Sequence, residues 1–205
     1  MAINLILAEG KDDEHVIKHI LRAFDVVEGR VDVKDIKGID NLIEALPVEL
    51  KGSELSCLGI VIDADTDVAS RWQSVSAIFQ KAGYITLPKK PDSNGTIVSA
   101  TGMPTVGIWI MPDNEIAGMV ENFVSFLVPQ GDDLWGRAVE VVENIDKSMR
   151  RFPEIHKAKA EIHTWLAWQK EPGTPFGLAI TKKYLDPHCE EGRKFFDWLQ
   201  RLFTL

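Results

Sequence analysis

The chain has 205 residues, of which 45% are hydrophobic and 26% charged, and its formal net charge is −8. That length and balance suit one globular unit with a sizeable core, and exclude a disordered, collagenous or coiled-coil chain. The acidic balance also argues against tight, metal-independent binding to nucleic acid, which asks for a basic face.

The two cysteines, Cys57 and Cys189, lie far apart without CxxC spacing, so neither a zinc cluster nor a disulfide framework is expected. Idle thiols in a reducing cytoplasm are the plain reading. No apolar run approaches the roughly 18 residues of a membrane span. The short apolar run near the N-terminus has no basic start and passes directly into charge, unlike a signal peptide.

In chain order, residues 3–8 form a short apolar run of β-formers and predict a buried strand. Residues 12–24 place Val16, Ile17, Ile20, Leu21 and Phe24 at helical spacing, behind an acidic first turn of Asp12, Asp13 and Glu14. A second strand is expected at 31–36 and a helix at 38–50. Residues 57–62 are apolar throughout and end at Asp63, which predicts a central strand covered on both faces. A helix over 66–82 follows, with Asp67 as its cap. Residues 88–100 are rich in turn formers, and Asn94-Gly95 predicts a type I′ hairpin. A strand over 104–111 comes next. Asp113 is placed to cap a helix reaching residue 128, with Ile116, Met119, Val120, Phe123 and Leu127 on its core face. Helices are then expected at 131–150, 155–169, 176–184 and 190–203. Alternating strands and helices imply a parallel sheet with right-handed crossovers. Residues 1–128 therefore read as an α/β core, and 129–205 as a helical extension packed on it.

Glu9 stands just past the first strand, and Asp63, Asp65 and Asp67 stand just past the third. Open α/β sheets bind ligands at the carboxyl ends of their strands. If those two strands are neighbours, Glu9 and the Asp63-Ala64-Asp65 pair converge. Carboxylates gathered in one place repel and call for a cation. Hard oxygen donors suit Mg²⁺ or Mn²⁺, which can polarise a phosphate and acidify bound water. The plainer alternative makes the aspartates a solvated turn and Asp67 a cap.

The segment LILAEGKDD resembles the first motif of the TOPRIM fold of nucleases and primases, and GIVIDADTD resembles its second. The resemblance implies a TOPRIM-like, Rossmann-like, mostly parallel sheet flanked by helices. It assigns acid–base work to Glu9, metal binding to Asp63 and Asp65, and a tight turn into the helix to Gly10. Among TOPRIM proteins the chain is most similar to the small stand-alone relatives of OLD-type nucleases. By that likeness Asp13 joins Glu9, Glu121 in GMVENF supports a second metal, and Lys159 in HKAKAEIHTWLAWQKEPGTPFG stabilises the transferring phosphate. On residue pattern alone, Glu121 and Lys159 read as solvated helix residues. His163 reads as a satisfied helix histidine, Trp165 and Trp168 as core, and Lys89-Lys90 and Arg150-Arg151 as solvated turns.

The function implied is Mg²⁺- or Mn²⁺-dependent phosphodiester hydrolysis, with DNA ahead of RNA as substrate. The resemblance also makes a partner ATPase possible, since one is typical of related nuclease systems and the chain has no P-loop of its own. A homo-oligomer is compatible with the composition. One alternative is a partner-dependent, non-catalytic TOPRIM subunit that binds metal or nucleotide. Another is a phosphatase of the haloacid-dehalogenase type, with Asp63 as nucleophile and Asp65 as acid. That reading leaves Glu9 without a role and finds no convincing later acidic pair.

Overall fold

Continuous apolar runs need cover on both faces, and the computed structural model, which describes residues 3–52 and 54–205, places two such runs side by side in a sheet. Its strands are β1 (Ile3–Ala8), β2 (Asp32–Asp35), β3 (Leu55–Asp63), β4 (Thr96–Val98) and β5 (Thr105–Met111). They are ordered β2-β1-β3-β5-β4. The first four in that order run parallel, and the short edge strand β4 is antiparallel to β5. The helices are α1 (Lys11–Ala23), α2 (Ile39–Glu49), α3 (Val68–Ala82), α4 (Val120–Phe126), α5 (Asp133–Glu143), α6 (Lys157–Ala167), α7 (Phe176–Thr181) and α8 (Glu190–Phe203). Among the described residues, none of them is long and apolar enough to cross a membrane.

Two apolar layers enclose the sheet. On one face Leu5, Leu7, Ile60, Ile62, Ile108 and Ile110 pack against α2 and α3 through Leu42, Leu46, Val75 and Phe79. On the other, Ile6, Ala8, Val61, Trp109 and Met111 meet α1 and the later helices, including Phe123, Trp165, Phe195 and Trp198. The helices after residue 128 thus supply much of one layer. Helix α8 lies close over β3 and β5 because Gly59 and Gly107 have no side chain there. A Cβ on Gly107 would stand 2.5 Å from Leu202 Cδ2 and 3.0 Å from Trp198 Cζ2.

Several local expectations change, among them the helix expected over 131–150, which spans only Asp133–Glu143, and Trp168, expected in the core but 39% exposed. The Asn94-Gly95 dipeptide is not the hairpin turn. Only Gly95 of the pair has positive φ, whereas type I′ needs it at both positions. The turn instead follows Asp92, whose carboxylate accepts from the Asn94 N–H at 2.8 Å, and it leads into β4. The helix expected from residue 113 begins only at Val120. Asp113 does cap a turn, accepting from the N–H groups of Glu115 and Ile116. Positive φ at Asn114 (71°) and Gly118 (148°) then stops propagation, and Ile116 is left exposed. Arg150 is not a solvated turn residue either. Its side chain is 15% exposed, and its guanidinium lies over the Phe152 ring.

Candidate functional site

The parallel pairing of β1 and β3, with Ala8 opposite Val61, brings the two strand ends together. Glu9 leaves β1 with its N–H on Val61 O at 3.0 Å. Its carboxylate Oε2 accepts from the Asp63 N–H at 3.0 Å. Asp63 ends β3 and in turn accepts from the Val120 N–H, at the start of α4, at 3.0 Å. The chain of contacts therefore runs from the end of β1 through the end of β3 to α4.

Asp13 enters from the first turn of α1. It is 3% exposed, and its buried Oδ1 has no hydrogen-bond partner among the described residues. Gly10 precedes that helix with φ −135°, an extended conformation open to any residue, so the expected tight turn is not its reason for being glycine. A Cβ there would stand 3.0 Å from Asp13 Oδ2, so its lack of a side chain keeps space beside that carboxylate. Glu121 enters from α4. The helix break before Val120 turns it inward, and it is buried at 3%, where a solvated helix glutamate was the plain expectation. Lys159 reaches from α6 and meets Glu121 Oε1 at 2.6 Å.

Asp65 follows Asp63 by one turn of chain with φ 54°, and its N–H donates to Gly118 O at 2.9 Å. Its carboxylate is paired with Arg71, whose side chain is 13% exposed. Arg71 also acts on Glu9, helping to hold its carboxylate ionised. Arg71 is the site residue that sequence reasoning missed. The available signal was a basic residue one turn into the helix that follows Asp-x-Asp. Asp67 lies apart from this chemistry. It caps α3, accepting from Ala69 N at 2.9 Å and from the Ser70 hydroxyl.

All six sequence candidates, Glu9, Asp13, Asp63, Asp65, Glu121 and Lys159, thus converge at one end of the sheet. Five carboxylates face two basic groups, Arg71 and Lys159. Burial, reinforced by Glu9 and Glu121, pushes the Asp13 carboxyl up to about 8. Burial, reinforced by Asp13, Glu9 and Glu121, pushes Asp63 up to about 9. Glu9 is also raised, by burial first, although the Asp63 N–H and Arg71 counter it. Lys159 is raised by its bond to Glu121.

Among the described residues no group of three or more His, Cys, Asp or Glu side chains stands as a ready-made metal site. Glu9 and Asp63 are tied to backbone N–H groups, and Asp65 and Glu121 to basic side chains. The donor set nevertheless fits a hard cation. It is all carboxylate oxygen, its acids outnumber its bases, and Asp13 Oδ1 has no partner among the described residues. Glu9, Asp13 and Asp63 are the residues that would hold such an ion, with Asp65 joining on release from Arg71.

A family model described as a protein of unknown function (DUF3226) matches residues 3–204. No curated protein and no solved structure matches the chain.

Proposed function

The chain belongs to the DUF3226 family, and from the chemistry of its carboxylate cluster we propose that it is a metal-dependent phosphodiesterase, a TOPRIM-type nuclease related to the OLD group. The observation that carries this reading is the gathering of Glu9, Asp13, Asp63, Asp65 and Glu121 at the carboxyl ends of neighbouring parallel strands, with Asp13 Oδ1 unpartnered. That is where open α/β sheets place ligands. Structural ion-pair networks also perturb carboxylates, but among the described residues neither Asp13 nor Asp63 stands in an ion pair. The two sequence motifs, LILAEGKDD and GIVIDADTD, support the same reading.

A Mg²⁺ or Mn²⁺ bound by these carboxylates would polarise a phosphate and make water a better nucleophile. The chain's own residues do the rest. Asp63 and Asp13 supply oxygen ligands. Glu9, held by the Asp63 N–H, is placed to take a proton from an attacking water. Lys159 and Arg71 bring positive charge towards the phosphoryl oxygens, and in the present arrangement they neutralise Glu121 and Asp65 instead. That internal pairing favours one variant of the reading, in which substrate or a partner protein draws the two bases away and completes the site.

Incubation with plasmid, linear duplex and single-stranded DNA in Mn²⁺ or Mg²⁺ tests the proposal. Cleavage that is lost with EDTA and with Asp63→Asn is expected. Full activity in Asp63→Asn would remove the site assignment.

A further inference from the structure

The sheet ends on one side at β2, whose outer margin pairs with no other strand among the described residues. Along such a strand, successive residues turn their N–H and C=O groups alternately towards the neighbouring strand and away from it. The Ile36 N–H donates to Ala8 O at 3.0 Å, and Asp35 stands opposite Ala8 in the β1 register. Asp32 and Lys34 share the inward phase of Ile36. Val33 and Asp35 therefore turn their backbone groups outward.

The side chains alternate as well. Val33 is buried in the layer shared with α1. Asp32 and Lys34 are exposed on the α2 side, where Lys34 Nζ lies 3.9 Å from Glu49 Oε1. Asp32 stands in no ion pair among the described residues. Apolar surface adjoins this margin on both sides. Between α1 and β2 lies a recess of about 530 Å³ that includes Leu21, Val26 and Val27 in its lining. Val27 is 77% exposed, and Val48, next to Glu49 on α2, is 72% exposed. The charged rim of the recess mixes Lys18, Arg22 and Lys34 with Glu28 and Asp32, so two copies would not meet a field of one sign.

We infer that β2 is a dimerisation edge, where a second copy of this chain pairs antiparallel across a two-fold axis and joins the two sheets into one. Charge selects the register. An axis through Lys34 sets that lysine against itself, and an axis through Asp35 sets two aspartates together. An axis through Val33 bonds the two Val33 residues through their outward N–H and C=O groups. It also sets Asp32 of each copy opposite Lys34 of the other, at the non-hydrogen-bonded positions where side chains approach most closely. A lysine on an edge strand ordinarily blunts pairing. Here it bars the neighbouring registers and favours one. The strand pair alone is smaller than the roughly 800 Å² per partner of a standard interface, and the apolar surface at Val27, Val48 and the recess adds to it. The axis reverses strand direction, so the two carboxylate clusters lie at opposite ends of the joined sheet. The inference stands independently of the phosphodiesterase reading.

Sedimentation velocity on the intact chain from about 1 to 100 μM, in roughly 0.1 M salt, is the test. The wild type is expected to shift from monomer to dimer across that range. Asp32→Lys and Lys34→Glu each set like charges opposite one another twice per dimer, and each is expected to weaken association at least roughly tenfold. Both positions are exposed, and circular dichroism checks that each variant is folded. An equimolar mixture of the two variants places opposite charges together again at both contacts and is expected to recover the dimer. A wild type that stays monomeric at about 100 μM overturns the inference. So do single variants that associate as tightly as the wild type, or a mixture that associates no better than either variant alone.

Discussion

Asp13 is a carboxyl group placed where its charge is disfavoured. Burial and the nearby Glu9 raise it to about 8, and the same causes with Asp13 itself raise Asp63 to about 9. The folded protein therefore binds more protons than the unfolded chain from about pH 4 up to those values. Stability must then fall as pH rises through that window, by at most about 1.4 kcal/mol per pH unit for each group. Thermal melts in EDTA between pH 5 and 9 should show this decline, and Mn²⁺ should flatten it. Asp13→Asn keeps the shape and removes the charge, so it should raise Tm at pH 8 and change it little at pH 5. Asp63→Asn should abolish cleavage while the protein stays folded by circular dichroism. Arg71→Gln should tighten Mn²⁺ binding roughly fivefold, because it frees Asp65 and removes about 1 kcal/mol of repulsion. Weaker binding in that variant would show that Arg71 positions Asp65 for the metal rather than competing with it. Glu9, Asp63 and Asp65 were legible in the sequence because each follows an apolar strand. Arg71 was not, because a single arginine early in a helix looks solvated until tertiary structure sets it beside two carboxylates.

At the scale of elements, strong periodicity translated directly. The apolar stripe over 190–203 became α8, with Glu190–Phe203 as its bounds. The run over 57–62 became the middle of β3, which sits centrally in the sheet. The segment from 113 to 119 misled because its apolar spacing is helical while Asn114 and Gly118 adopt conformations that no helix contains. That break has a consequence for the site. It starts α4 late, so that the Val120 N–H meets Asp63 and Glu121 turns inward. The burial of Glu121 was therefore beyond reach of the sequence, although its membership of the cluster was implied by family resemblance. Close packing of α8 on the sheet gives a further test. Gly107→Ala should cost about 1–3 kcal/mol in urea denaturation, since the added carbon meets Leu202 and Trp198.

Over the whole molecule, the helices beyond residue 128 cover much of one face of the sheet, and Trp198, fully buried, packs against Trp109 of β5. A fragment of residues 1–128 would expose that face and should be insoluble or unfolded on its own, while the intact chain should melt in one cooperative transition. At the sheet end five carboxyl groups outnumber two bases, Arg71 and Lys159. The central claim, that this excess exists to hold a divalent cation, is met most directly by calorimetric titration of Mn²⁺ and Mg²⁺ into the wild type and into Asp63→Asn/Asp65→Asn. The account predicts binding by the wild type that is lost in the double variant. Binding of equal strength by both proteins, or by neither, would contradict it.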